Sequence, residues 1–170
     1  LDAIGYTPDK INFLALSHPH SGHAGNAAAY AGSTWLVQKA DWEAMFGPAV
    51  QAVNPLHAPL KTSKTVILEG DHDVFGDGTV VLKPTPGHSP GHQVLYLKLA
   101  RTGGVVLSGD LYHYPEERTL NRMPDQEKTR GTPESRAKLE VFMKEVGANL
   151  WIEHDINQYS RQKKSPEFYD

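Results

Sequence analysis

Short apolar runs that each stop at a polar segment carrying histidine or aspartate recur four times, and no other feature constrains the fold as strongly. Ile11 to Leu16 gives way to Ser17-His18-Pro19-His20-Ser21-Gly22-His23-Ala24-Gly25-Asn26. Thr79 to Leu82 is followed by Pro84-Thr85-Pro86-Gly87-His88-Ser89-Pro90-Gly91-His92. Val105 to Leu107 ends at Ser108-Gly109-Asp110, and Leu150 to Ile152 ends at Glu153-His154-Asp155. A short apolar run bounded by turn residues reads as a buried strand. Its polar end then lies at the edge of a sheet, where ligand-binding loops gather.

The rest of the chain alternates strand and helix signals. Leu1 to Tyr6 reads as a helix end closed by Thr7-Pro8, Asn26 to Tyr30 as a short Ala-rich helix and Thr34 to Val37 as a strand. Ala40 to Phe46 reads as a helix that stops before Gly47-Pro48, and residues 47–63 as a loop with helical pieces. Thr65 to Leu68 and Asp73 to Phe75 are short strands, and Gly76-Asp77-Gly78 is a hairpin turn. Pro84 to Gly87 is too rich in proline for a central strand. Val94 to Leu97 is another strand. Pro133 to Val146 carries Leu139, Phe142, Met143 and Val146 at helical spacing, with Thr132 as the expected cap and Gly147 as the stop. Asn157 to Asp170 reads as a polar tail. The pattern is that of a layered α/β domain spanning residues 1–170.

Composition removes several function classes. A formal net charge of −3 leaves no basic footprint for nucleic acid or an anionic membrane surface. No apolar run approaches the roughly 20 residues of a membrane span. With no cysteine there is no disulfide scaffold, thiolate zinc site or Cys nucleophile. The expected chain is soluble, with a cytoplasmic or a periplasmic or secreted location equally compatible, and its partner is a small molecule. It begins at Leu1 with no visible signal peptide, as a processed chain or a fragment would.

Nine histidines remain to be explained. His18, His20 and His23 fall within six positions on one loop, and neutral imidazole is a good ligand for zinc and other divalent transition metals. Histidine and carboxylate together can hold two metals with a shared bridging group. His57 and His72 stand alone and are read as structural. His92 is read as a supporting histidine rather than a ligand, and His113 is left open.

The order and wording of the four segments resemble the metallo-β-lactamase-fold hydrolases, over nearly the whole chain. The first loop is similar to that family's His-any-His-any-Asp-His signature, with His18, His20 and His23 in the histidine slots. His88 resembles the ligand of its second motif, Asp110 the bridging carboxylate and His154 the final histidine. The resemblance implies an αββα sandwich and a site of His18, His20, His23, His88, Asp110 and His154 holding one or two zinc ions. The spacings of 22 residues from His88 to Asp110 and 44 from Asp110 to His154, with the stretch from Gly109 to Arg118, resemble the N-acyl homoserine lactonase-like branch. That branch implies quorum quenching: a metal-bound hydroxide opens a lactone, Asp110 orients it, and Tyr112 or Tyr114 donates a hydrogen bond to the substrate. A β-lactamase-type hydrolase is the alternative, because fold alone does not settle substrate.

Two departures from the family pattern shape the expectations. Gly22 stands where the family carries an aspartate, which weakens the second metal site and takes away a proton donor; Ser21 beside it is no substitute. A metal-binding protein with little catalysis is therefore a third reading. Only seventeen residues precede His18, so the N-terminal strands of the sandwich are expected to be missing. A sheet left uncovered in this way favours a homo-oligomer or a partner chain.

Overall fold

The computed structural model describes residues 1–170. Two sheets form. The first is parallel and places β1 (Phe13–Ala15), β2 (Thr34–Gln38) and β3 (Thr65–Leu68) side by side in that order. The second contains β4 (His72–Asp73), β5 (Val80–Pro84), β6 (Gln93–Leu99), β7 (Gly103–Leu107) and β8 (Asn149–Trp151), also in sequence order. It is antiparallel up to β7, and β8 returns parallel to β7, so that Leu107 pairs with Trp151.

The period-two alternation of side chains explains how these sheets stack. In β2, Trp35 and Val37 pack with Met45 and Phe46 of α2 (Lys39–Phe46). Leu36, between them in sequence, faces the other way and meets Leu68 of β3 and Leu82 of β5. In β6, Leu95 joins that inter-sheet cluster, while Val94 and Tyr96 pack against Leu139 and Met143 of α4 (Thr132–Val146). The layers therefore run helix, sheet, sheet, helix, which is the expected αββα sandwich. At the rim of the smaller sheet Phe13 and Ile67 are more than 40% exposed, and Phe75, whose ring meets Phe13 edge-on at 6.1 Å, is 61% exposed. No helix is long and apolar enough to cross a membrane.

Several local expectations give way. The first loop contains a single helical turn, α1 (Ser21–Ala24), and Asn26 to Tyr30 forms a 3-10 turn rather than an α-helix. β5 runs on through Pro84, which pairs with Gln93. β4 ends its pairing at Leu82, so the side of Pro84 without an N–H faces no strand and the proline costs no ladder bond. Thr132 does not cap α4; Gly131 does, and the Thr132 hydroxyl donates to Glu127 instead. α3 (Pro115–Thr119) follows β7, and the tail contains α5 (Ile156–Arg161), whose first N–H groups are accepted by the Asp155 carboxylate.

The inter-sheet contact is small, and Leu36 is 2% exposed within it. Leu36→Ala should cost about 2–5 kcal/mol, whereas Val141→Ala, at an exposed position of α4, should change stability by about 0.5 kcal/mol or less. Urea denaturation of both variants checks the layer assignment; equal losses would contradict it.

Candidate metal centre

The four strand ends meet at one edge of the sandwich. Asp110 sits at their centre, in a 3-10 turn after β7 (Gly109–Leu111). Gly109 makes that turn possible. Its φ is +48°, and a Cβ there would lie 2.6 Å from the Ser17 side chain and 2.7 Å from His92 Nε2. Only glycine tolerates both the backbone and the approach. His92, fully buried, accepts the Asp110 N–H at Nε2 (3.1 Å) and hydrogen-bonds the Thr85 hydroxyl at Nδ1 (2.8 Å). His92 thus fixes the backbone of Asp110 and contributes no free nitrogen, in keeping with its expected supporting role.

Histidines surround the Asp110 carboxylate on both oxygens. Nε2 of His18 lies 3.5 Å and Nε2 of His88 3.2 Å from Oδ2, and Nε2 of His23 and His154 each lie 3.0 Å from Oδ1. His20 turns Nδ1 toward His88 Nε2 at 3.0 Å. Two groups of donor atoms result, each confined within 4.8 Å: His18, His20, His88 and Asp110, and His23, Asp110 and His154. Asp110 belongs to both.

Carboxylates back several of these rings from behind. His88 Nδ1 faces buried Glu127 at 2.9 Å, and His23 Nδ1 faces Glu153 at 3.3 Å. A carboxylate only accepts, so it holds a ring proton on Nδ1 and leaves Nε2 as the nitrogen turned toward Asp110. The loop that carries His88 is pinned in turn by buried Asp41, which accepts the Ser89 hydroxyl at 2.8 Å and the Gly91 N–H at 2.7 Å. None of these acids has a sequence signal next to its histidine. Glu127 lies 39 residues from His88 and Asp41 lies 48 from Ser89.

The electrostatics keep the His18, His20 and His92 rings neutral around one anion. Burial, with His92 and His23 nearby, holds the His18 imidazole down at about 2, and burial likewise holds His92 at about 3. Burial also lowers His20. Burial opposes protonation of His88, but its hydrogen bonds to Asp110 and Glu127 outweigh that and raise it. Burial would raise Asp110, yet the hydrogen bonds from His113 and His88 and the surrounding rings keep it well below the usual carboxylate range.

The donors suit a divalent ion on an observation independent of family. His18 Nε2 is buried, aimed at Asp110, and has no hydrogen-bond partner. An unpaired buried nitrogen is costly, and a cation among these lone pairs removes the cost.

All six residues expected as ligands come together here. Tyr112 does not. Its ring lies in the core, under the Arg136 guanidinium at 4.3 Å, and its hydroxyl donates to Glu140 at 3.0 Å. The role expected of Tyr112 finds no support in this placement, because the residues on either side of a turn point in different directions. Tyr114 is exposed. His113, left open by the sequence, is the residue of that stretch that faces Asp110, at 3.5 Å. Gly22 lies on α1, and a Cβ there would meet nothing within 4 Å. A cavity of about 340 Å³ opens beside His23, with Leu16, Leu82, Leu95 and Gly22 in its lining.

Comparison with known proteins bears on this arrangement. The family model described as the metallo-beta-lactamase superfamily matches residues 1–145. The N-acyl homoserine lactonase AttM of Rhizobium radiobacter is 29% identical over 180 residues, covering 99% of this chain and 67% of its own length. An N-acyl homoserine lactonase of Bacillus thuringiensis is 31% identical over 172 residues, covering 99% of this chain and 65% of its own. An N-acyl homoserine lactone hydrolase solved with its product N-hexanoyl-L-homoserine at the catalytic metal center superposes with a TM-score of 0.84 at 29% identity. This chain is covered completely in that superposition, and 66% of the hydrolase is. The chain thus spans about two thirds of the length of these relatives.

Acid should destabilise the metal-stripped protein. His18 and His92 take up a proton at an ordinary 6.5 when unfolded but only near 2 and 3 when folded. Below pH 6.5 the unfolded chain therefore binds more protons, and each group withdraws on the order of 1 kcal/mol per pH unit. His88 and His113, both raised, oppose this in part. The thermal midpoint of chelator-treated protein should fall between pH 7 and pH 5; a midpoint that rises on acidification would contradict neutral His18 and His92.

Proposed function

The chain belongs to the metallo-beta-lactamase superfamily, and on that premise we propose that it is a metal-dependent hydrolase that opens a cyclic ester of the N-acyl homoserine lactone class. The observation that carries this reading is the pair of donor groups joined through Asp110. The relatives named as lactonases support the substrate class.

His18, His20, His88 and Asp110 would hold one zinc ion, and His23, His154 and Asp110 a second. When bound, zinc would lower the pKa of a water and polarise the ester carbonyl. The remaining tasks fall to the chain. Asp110, its backbone fixed by His92, orients both donor groups at once. Glu127 and Glu153 keep the rings of His88 and His23 turned inward. In the net reaction water adds to the carbonyl carbon and the ring C–O bond breaks. The ring oxygen leaves as an alcohol and the acyl carbon as a carboxylate, with release of one proton. The apolar wall of the cavity beside His23 suits an acyl chain.

Gly22 supplies no ligand, so the second group has three protein donors with one negative charge among them. The first ion should be held tightly and the second weakly. In Gly22→Asp the new side chain enters open space.

Metal analysis and paired assays test the proposal. Zinc-loaded protein should open an N-acyl homoserine lactone, with one acid equivalent released per turnover, and leave a chromogenic cephalosporin intact. Asp110→Asn should lower lactone opening by about 100-fold or more. Cephalosporin turnover without lactone opening would assign the chain to lactams instead, and bound zinc with neither activity would make it a metal-binding protein. Gly22→Asp should raise occupancy of the second site; unchanged stoichiometry would refute the account of the glycine.

A further inference from the structure

One histidine outside the two donor groups is built like those inside them. His113 follows the Asp110 turn and reaches back toward it, with Nε2 3.5 Å from Asp110 Oδ2. That equals the distance from His18 Nε2 to the same oxygen. The His113 ring stacks on His154 at 5.7 Å, with 24° between the planes, and meets His88 edge-on at 5.3 Å. Its position is thus defined by residues of both groups.

The other ring nitrogen decides which way the lone pair points. His113 Nδ1 faces Glu117 Oε1 at 3.3 Å, and the His113 backbone N–H donates to Glu117 Oε2 at 3.1 Å. Glu117 is itself held by buried Arg136, at 2.6 Å. A carboxylate fixed by a guanidinium accepts and does not donate, so it retains a proton on Nδ1 of His113. Nε2 is then the nitrogen turned toward Asp110 Oδ2, where a divalent ion would take the place of its proton. His88 with Glu127 and His23 with Glu153 repeat the same order of carboxylate, Nδ1, Nε2 and Asp110.

We propose that His113 is a further metal ligand of the Asp110-centred site, on the Oδ2 side that His18 and His88 also face. The proposal rests on the reading of the cluster as a metal centre. Glu117 and Arg136 are positioning residues for it, acting through the His113 ring.

The absence of any cysteine from the chain provides a direct probe. In His113→Cys loaded with cobalt(II), a thiolate on the metal gives a sulfur-to-cobalt charge-transfer band in the near ultraviolet, and no other residue can produce one. That band should appear, and wild type should lack it. His113→Phe keeps the stacking ring and removes the nitrogen. It should weaken binding of one ion by about 10-fold or more in a chelator competition and shift the cobalt d–d bands. Circular dichroism of the metal-free variants confirms folding, and the cysteine variant carries the test if the phenylalanine variant does not fold. A His113→Cys protein that binds cobalt without the band, or a folded His113→Phe protein with wild-type affinity and spectrum, overturns the assignment while leaving the metal centre standing. Wild-type protein that binds no divalent ion at all overturns both.

Discussion

A single carboxylate organises the edge of this molecule. Asp110 receives five imidazole nitrogens within 3.5 Å, three on Oδ2 and two on Oδ1, from residues as distant as His18 and His154. Such crowding is stable only if the carboxylate cannot swing away. The turn at Gly109 sets its direction, and the buried His92 ring holds its N–H. His92 is anchored in turn by Thr85, at the end of β5. The larger sheet therefore fixes Asp110 through backbone and buried polar contacts, and the arrangement of the histidines around it follows.

Ring orientation is the second requirement, and acids placed behind the rings meet it. An imidazole can present either nitrogen, and the choice is made by whatever binds the other one. Glu127 makes it for His88, and the Thr132 hydroxyl steadies Glu127 at the start of α4. Glu117 occupies the same place behind His113, with Arg136 of α4 behind it. The long helix thus does more than cover the larger sheet. Its first turns supply the groups that aim two histidines, so packing and chemistry share one element.

The larger features were legible because they are periodic or local. The apolar runs of β2 and β6 and the helical spacing of Leu139 and Met143 read as the strands and helix they form, and the clustering of His18, His20 and His23 was visible as it stands. The residues expected as ligands could be named because their segments follow apolar runs and resemble the family's motifs. Features set by tertiary partners did not emerge. Pro84 lies in a strand because its neighbour β4 ends early, which no local rule reveals. Tyr112 and His113 are adjacent, and which of them faces the site depends on the turn at Gly109 and on the pairing of Tyr112 with Glu140. Asp41, Glu127 and Glu153 support a histidine or its loop across gaps in the chain, so composition alone could not single them out. Glu117 was the exception within reach, four residues after His113 in the first turn of α3.

Charge explains why a glycine is tolerable in this centre. A histidine whose Nδ1 is held by a carboxylate would be a neutral donor once a metal replaced the proton on Nε2, so the cluster's fixed negative charge lies on Asp110 and on the acids behind the rings. A carboxylate at Gly22 would add charge directly among the donors and draw a second dication strongly. A nitrogen from His113, on the Oδ2 side of Asp110, would add no such charge, and the second group would hold an ion that exchanges more readily than the first. Metal affinity would then depend on Glu117 and Arg136, outside the cluster, because they decide which nitrogen His113 presents.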